Sequence, residues 1–380
     1  MQFGYHTTTL TPEEAYSVGF SGEGLSWEID GELIFDGSRA YTDEDMQRIN
    51  EALGFTFFGG SESAQSEEES VSDSASANNR VSTRTVVSSV TNRAASLARN
   101  FRISQESGLP DTSGKALTGL SGGDIGEWAI GRLGIWADAS GAIYSDEASS
   151  DAFWGNQMGF MGGADYRFTD RLMAGAGLGV ERAEIDFKSD RQRRITYVNT
   201  TVYGAYLIND TLSVNGLGSY SVGINSVEAP GTFVSANIDA DYLSHRFITA
   251  ANLAYNDAFD RVTAFGYMGI SYSHEIFGTY EDTVGTEIEP PDSKLGQVYA
   301  FGDVGYTFET DGGVLEPFVS ARLEYDFVRD GDNDRFGSVL GGGVRARWTE
   351  GLTVEAFGNT EVARSDETAT SFGINMRVQF

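Results

Sequence analysis

The segment Ser371-Phe372-Gly373-Ile374-Asn375-Met376-Arg377-Val378-Gln379-Phe380 alternates without a break. In an extended chain, successive side chains point to opposite faces. Phe372, Ile374, Met376, Val378 and Phe380 therefore share one face, and Ser371, Gly373, Asn375, Arg377 and Gln379 share the other. One face is apolar and the other polar from end to end. A membrane-spanning barrel strand has this form, with lipid outside and a polar lumen inside.

The same grammar runs upstream. From Val314, the residues Leu315, Pro317, Val319, Ala321, Leu323, Tyr325 and Phe327 face one way, while Glu316, Phe318, Ser320, Arg322, Glu324 and Asp326 face the other. Soluble sandwich strands alternate too, but rarely for so long. Twelve such segments are expected, at about 131–144, 152–168, 171–187, 193–208, 211–227, 238–256, 260–280, 294–309, 314–329, 334–348, 352–364 and 368–380. Tight turns are expected at Thr169-Asp170, Asn209-Asp210, Asp257–Asp260, Thr310-Asp311-Gly312-Gly313 and Thr349-Glu350-Gly351. Longer loops alternate with them, clearest at 228–237 and 281–293. Short turns on one side and long loops on the other are the habit of outer-membrane barrels, and an even strand count puts both barrel ends on the periplasmic side. Trp154, Tyr206, Tyr306, Tyr325 and Trp348 fall near strand ends, where interfacial aromatic girdles form, whereas Trp136 falls mid-strand. The expected fold is all-β: a 12-stranded antiparallel transmembrane barrel over 131–380.

Composition agrees. The 380 residues include 47 glycines, 12% aromatics and only six prolines, with no apolar run long enough for a membrane-spanning helix. The net charge is −30, divided as −14 over 1–79, +2 over 80–130 and −18 over 131–380. So negative a surface repels phosphate, which excludes a nucleic-acid partner. There is no cysteine, hence no disulfide and no cysteine–zinc site. Neither a metal nor any other cofactor is expected. The start, Met1-Gln-Phe-Gly-Tyr-His6, lacks the basic and apolar regions of a signal peptide, so the chain reads as a mature form or fragment.

Before the barrel, residues 1–60 read as a small N-terminal segment or passenger remnant. It has a strand pair around Asp30-Gly31 and a short helix from Thr42 to Leu53. Residues 61–79 are acidic and of low complexity, and read as a linker. Residues 80–102 read as a helix and 103–130 as a connector. Every charge on that helix is basic: Arg80, Arg84, Arg93, Arg99 and Arg102. Val86, Val87, Val90, Ala94, Leu97 and Phe101 supply apolar contacts. Such a helix is long enough to thread a barrel. The lumen face carries Asp303, Glu316, Glu324, Asp326, Glu355 and Glu361, so the expectation is a basic helix plugging an acidic lumen through charge-assisted hydrogen bonds.

This order, with a polar N-terminal region, a pore helix and twelve strands ending in Phe380, resembles the translocator unit of autotransporters, the type V secretion proteins. Arg84-Thr85-Val86-Val87 leading to Asn92-Arg93-Ala94 is similar to that family's helix with its Arg-Ala pair. Gly163-Ala164-Asp165-Tyr166-Arg167 followed by Leu172-Met173-Ala174-Gly175 is similar to its second and third strands. Arg377-Val378-Gln379-Phe380 resembles the terminal signal read by the barrel-assembly machinery. The resemblance covers about residues 80–380. It implies a monomeric barrel of the Gram-negative outer membrane that carries its own N-terminal passenger to the cell surface and is not itself an enzyme. Some members cleave themselves at an Asn pair inside the pore. Asn78-Asn79 matches that pair, although a turn or N-cap also accounts for it.

Two other readings stand beside this one, a plugged channel or structural barrel and a membrane-embedded hydrolase. Ser244 and His245 are neighbours on a strand and point to opposite faces, so they cannot form a catalytic pair. His274 with another serine is the remaining hydrolase candidate. Asp330-Gly331-Asp332-Asn333-Asp334 begins like a calcium loop, but Arg335 stands where glycine is required and no glutamate closes the pattern.

Overall fold

The computed structural model describes residues 2–3, 6–9, 26–29, 32–36, 74–93, 132–147, 152–229, 238–281, 287–330, 334–348, 351–364 and 367–379. They belong to two compact units. One gathers Met1–Glu69 with Glu228–Ala240 and Tyr280–Ile288, and the other comprises Ser70–Val227, Asp241–Thr279 and Glu289–Phe380.

The larger unit is a closed antiparallel barrel of twelve strands. They are β1 Leu133–Asp146, β2 Phe153–Arg167, β3 Leu172–Phe187, β4 Gln192–Leu207, β5 Leu212–Ala229 and β6 Ile238–Phe259. Then follow β7 Val262–Phe277, β8 Ser293–Tyr306 (resuming at Phe308–Thr310), β9 Gly313–Arg329, β10 Phe336–Trp348, β11 Leu352–Glu361 and β12 Glu367–Gln379. Each strand pairs with its sequence neighbours, and β12 closes on β1 from Glu367↔Asp146 to Gln379↔Gly134. Closure leaves no unpaired edge, the condition for placing strands in lipid.

Alternation sets which side chains face lipid. Phe372, Ile374 and Met376 point outward and Arg377 inward; on β9, Val319, Leu323 and Tyr325 point outward while Glu316, Glu324 and Asp326 are buried. Trp154, Tyr206, Tyr306, Tyr325 and Trp348 all point outward near strand ends. Trp136 points inward, 2% exposed, and its Nε1 donates to the Tyr203 hydroxyl at 2.6 Å.

The turns follow local chemistry. The Asn209 carboxamide accepts from the backbone N–H groups of Thr211 (2.9 Å) and Leu212 (2.8 Å), and the Thr169 hydroxyl accepts from Leu172 N–H at 3.0 Å. Such side-chain turns favour Asn, Asp, Ser and Thr. Asp260 adopts φ 57°, a left-handed conformation that Asp tolerates.

The N-terminal unit contains a four-stranded antiparallel sheet of Gln2–Phe3, His6–Thr9, Ser26–Ile29 and Glu32–Asp36. Its last hairpin coincides with the strand pair expected around Asp30-Gly31. A two-residue ladder, Tyr280–Glu281 with Glu287–Ile288, joins the end of the strand expected to 280 with residues read from the sequence as the 281–293 loop. The expected helix at Thr42–Leu53 and linker residues 61–73 lie outside the described residues, as do 94–102, with Arg99 and Arg102, the connector 103–130 and Phe380.

Candidate functional site

Among the described residues there is one helix, α1, which covers residues 74–93 and lies inside the barrel. Its twenty residues span about 30 Å at 1.5 Å per residue, the thickness of a bilayer core. It begins at least six residues before the start read from the sequence, so Asn78 and Asn79 belong to its second turn rather than preceding it. Asn is a weak helix former because its carboxamide competes for nearby backbone. Here both carboxamides are engaged by the wall instead. Asn78 Nδ2 donates to Tyr197 Oη (3.2 Å), Tyr144 Oη donates to Asn78 Oδ1 (3.3 Å), and Ser273 Oγ donates to Asn79 Oδ1 (2.6 Å).

Apolar residues of α1 meet the wall in two separate clusters. Ala77 and Val81 pack with Tyr144, Phe153, Ile185 and Tyr197, while Val86, Val87 and Val90 pack with Trp136, Met173 and Tyr203. Valine is a middling helix former, and burial against the wall overrides that preference. The orientation of α1 follows from its ends. Arg193, beside the β3–β4 loop, donates to Ser74 Oγ at 3.3 Å, whereas Arg93 makes a two-pronged pair with Asp165, close to the short β2–β3 turn. The N-terminal end therefore lies toward the loops and the C-terminal end toward the short turns.

The basic side meets acids. Arg84 binds Glu324 through Nε (2.9 Å) and Nη2 (2.7 Å), and reaches Glu361 at 3.4 Å. Arg80 pairs with Glu361 at 2.7 Å and with Glu367 at 2.5 Å. Arg80 and the three carboxylates are buried and Arg84 nearly so, and in such surroundings charge-assisted bonds are strong and an unmatched charge is costly. Arg364 and Arg329 continue the network by pairing with Asp326 at 2.9 and 3.3 Å.

Of the six lumen acids expected from the sequence, Glu324 and Glu361 meet the helix. Asp326 pairs with wall arginines, and Asp303, Glu316 and Glu355 gather around Arg345. Asp165, Glu181 and Glu367 were not among those expected, yet each bonds an α1 side chain: Arg93, Ser82 and Arg80 respectively. Their signal was available. Asp165 shares its face of β2 with Gly163, and Glu367 shares its face of β12 with Arg377, so strand parity places both inward.

Beside Asn78, the Tyr197 hydroxyl donates to Glu275 Oε1 at 2.7 Å, Ser244 Oγ donates to the same oxygen at 2.8 Å, and Arg246 lies 3.9 Å over the Tyr197 ring. Ser244 points inward and His245 outward, the latter bonded to Tyr220 Oη at 2.8 Å. His274 lies 2.9 Å from Asp292. Among the described residues, no cluster of His, Cys, Asp and Glu suits a metal.

The autotransporter beta-domain family model matches residues 135–351. The β-domain of the Bordetella autotransporter BrkA superposes at a TM-score of 0.59 with 16% identity, covering 66% of this chain and 100% of that one. The translocator domain of NalP from Neisseria meningitidis superposes at 0.54 with 14% identity, covering 66% and 88%. At these identities the likeness speaks for the fold. No curated protein sequence matches the chain.

Proposed function

Because this chain belongs to the autotransporter β-domain family, and is thus an outer-membrane translocator that exports a passenger to the cell surface, we propose that α1 is its pore plug and that residues N-terminal to α1 are its passenger side. The observation carrying this is the pairing of Arg80, Arg84 and Arg93 with wall carboxylates from β2, β9, β11 and β12. Arg99 and Arg102 continue the same basic run along the sequence. The loop end of the barrel then faces outside. Arg377-Val378-Gln379-Phe380 is the segment the barrel-assembly machinery reads, and the barrel works as a monomer with no enzymatic turnover. A signal peptide and epitope tag fused ahead of Met1 test this. Protease added to intact cells removes the tag and leaves a heat-modifiable barrel; a folded barrel whose tag stays protected overturns it and favours a plugged channel.

We further propose that Asn78 severs the chain from its passenger. Its carboxamide nitrogen donates to Tyr197, which donates to Glu275, so a route exists for the proton that must leave Nδ2. Nδ2 attacks the Asn78 carbonyl carbon, a cyclic imide forms, the 78–79 peptide bond breaks and the amine of Asn79 departs carrying a proton. Mass spectrometry of the outer-membrane chain should show a new N-terminus at Asn79, and Asn78→Ala should remain intact. An uncut wild-type chain removes this proposal and leaves the plug untouched.

A further inference from the structure

α1 does not fill the lumen. Val86, Val87 and Val90 pack on the wall, and on the opposite side of α1 lies a cavity of about 70 Å³. Arg84, Ser88 and Asn92 of α1 line it from one side, and Ser320, Asn359 and Ser371 from the other. Val81, Phe301, Val339 and Phe357 add apolar surface, and a cavity of this size has room for a few water molecules at its polar side chains. Asn92 Oδ1 is buried and meets no hydrogen-bond partner among the described residues, and buried polar atoms are nearly always bonded, so a solvent molecule is its natural mate.

The two ends of this cavity are built differently. Toward the loops it is bounded by Arg84 and Arg322, both bound to Glu324, so that boundary includes the helix. Toward the short turns, the last lining residues on β8, β9 and β11 are Asp303, Phe318 and Glu355. Arg345 of β10 joins all three strands. Its guanidinium pairs with Asp303 at 3.3 Å, with Glu355 at 2.5 Å and with Glu316 at 2.5 Å, and lies 4.5 Å over the Phe318 ring. Arg347 braces Glu316 at 2.6 Å. No residue of α1 takes part in these contacts. A planar fork that holds several carboxylates while stacking on a ring is a role for arginine that lysine cannot fill.

We propose that this cavity is a vestibule for water and small inorganic ions beside the plug, and that Arg345 is the residue that closes it to the periplasm. The inference rests on α1 being the plug. It adds a second closure, in which side chains of β8, β9, β10 and β11 bind one another.

The absence of cysteine makes the test direct. Ser371→Cys places one thiol in the vestibule of the full chain. Its reaction with a charged, water-soluble thiosulfonate is timed on the purified, folded protein, with heat-modifiable migration checking the barrel. Modification tracks the population of open forms, so adding Arg345→Gln should speed labelling about tenfold. Glu355→Gln, which leaves Arg345 two carboxylates, should give a smaller rise. Arg80→Gln with Arg84→Gln, which frees the opposite boundary, should also speed it. Labelling unchanged by Arg345→Gln but accelerated by the Arg80/Arg84 pair overturns the Arg345 closure alone. Labelling unmoved by the Arg80/Arg84 pair overturns the plug and this inference with it. Fast labelling of the parent shows that nothing closes the vestibule.

Discussion

Single residues decide how closely the wall can approach itself. At Gly163, an added Cβ would run into the Ala176 carbonyl oxygen of β3 and lie 2.8 Å from the Trp136 ring, because the adjacent strand and the indole both press on β2 there. Gly163→Ala should therefore destabilise the barrel by about 1 to 3 kcal/mol, the usual penalty for overpacking. Urea unfolding followed by loss of heat-modifiable migration measures it, and wild-type stability would show that both the β3 backbone and the indole give way. The motif Gly163-Ala164-Asp165 was visible in the sequence as a family likeness. What it does physically was not, since Trp136 and Arg93 arrive from distant chain positions. Asp165 receives Arg93, and Gly163 makes room for the ring that donates to Tyr203.

At the scale of an element, α1 is a helix by environment more than by composition. Its valines, threonines, serines and asparagines are mediocre helix formers. The sequence nevertheless announced a helix over 80–102, because Val86, Val87, Val90, Ala94, Leu97 and Phe101 recur at helical spacing and the arginines lie off that stripe. Its start was not legible. Ser74 to Asn79 reads as linker until Tyr144, Tyr197 and Ser273 supply partners for the two carboxamides. Removing residues 74–102 should raise single-channel conductance in planar bilayers several-fold, since no other described element occupies the lumen. Equal conductance with and without the segment would mean that the wall itself blocks the pore.

At the scale of the whole molecule, the barrel is an inside-out arrangement, with charges within and apolar side chains without. Val319 is 68% exposed on β9, amid a band that faces lipid. Val319→Arg should cost about 2 to 4 kcal/mol if the residue lies near the bilayer midplane. The same change at Ser320, which faces the lumen, should cost the barrel less. Equal costs, measured by unfolding from lipid vesicles, would contradict the assignment of faces. The twelve strands, their order and their faces were legible beforehand because each depends on a local rule: period-two alternation, turn chemistry and even strand count. The sequence by itself determined that this chain is a membrane barrel with a basic helix ahead of it. Only the tertiary structure decided which acid meets which arginine, that Asn78 lies against Tyr197, and that Arg345 joins three carboxylates away from the helix. Those pairings depend on barrel closure and on where the helix lies across the lumen, and neither is encoded in the spacing of residues along one strand.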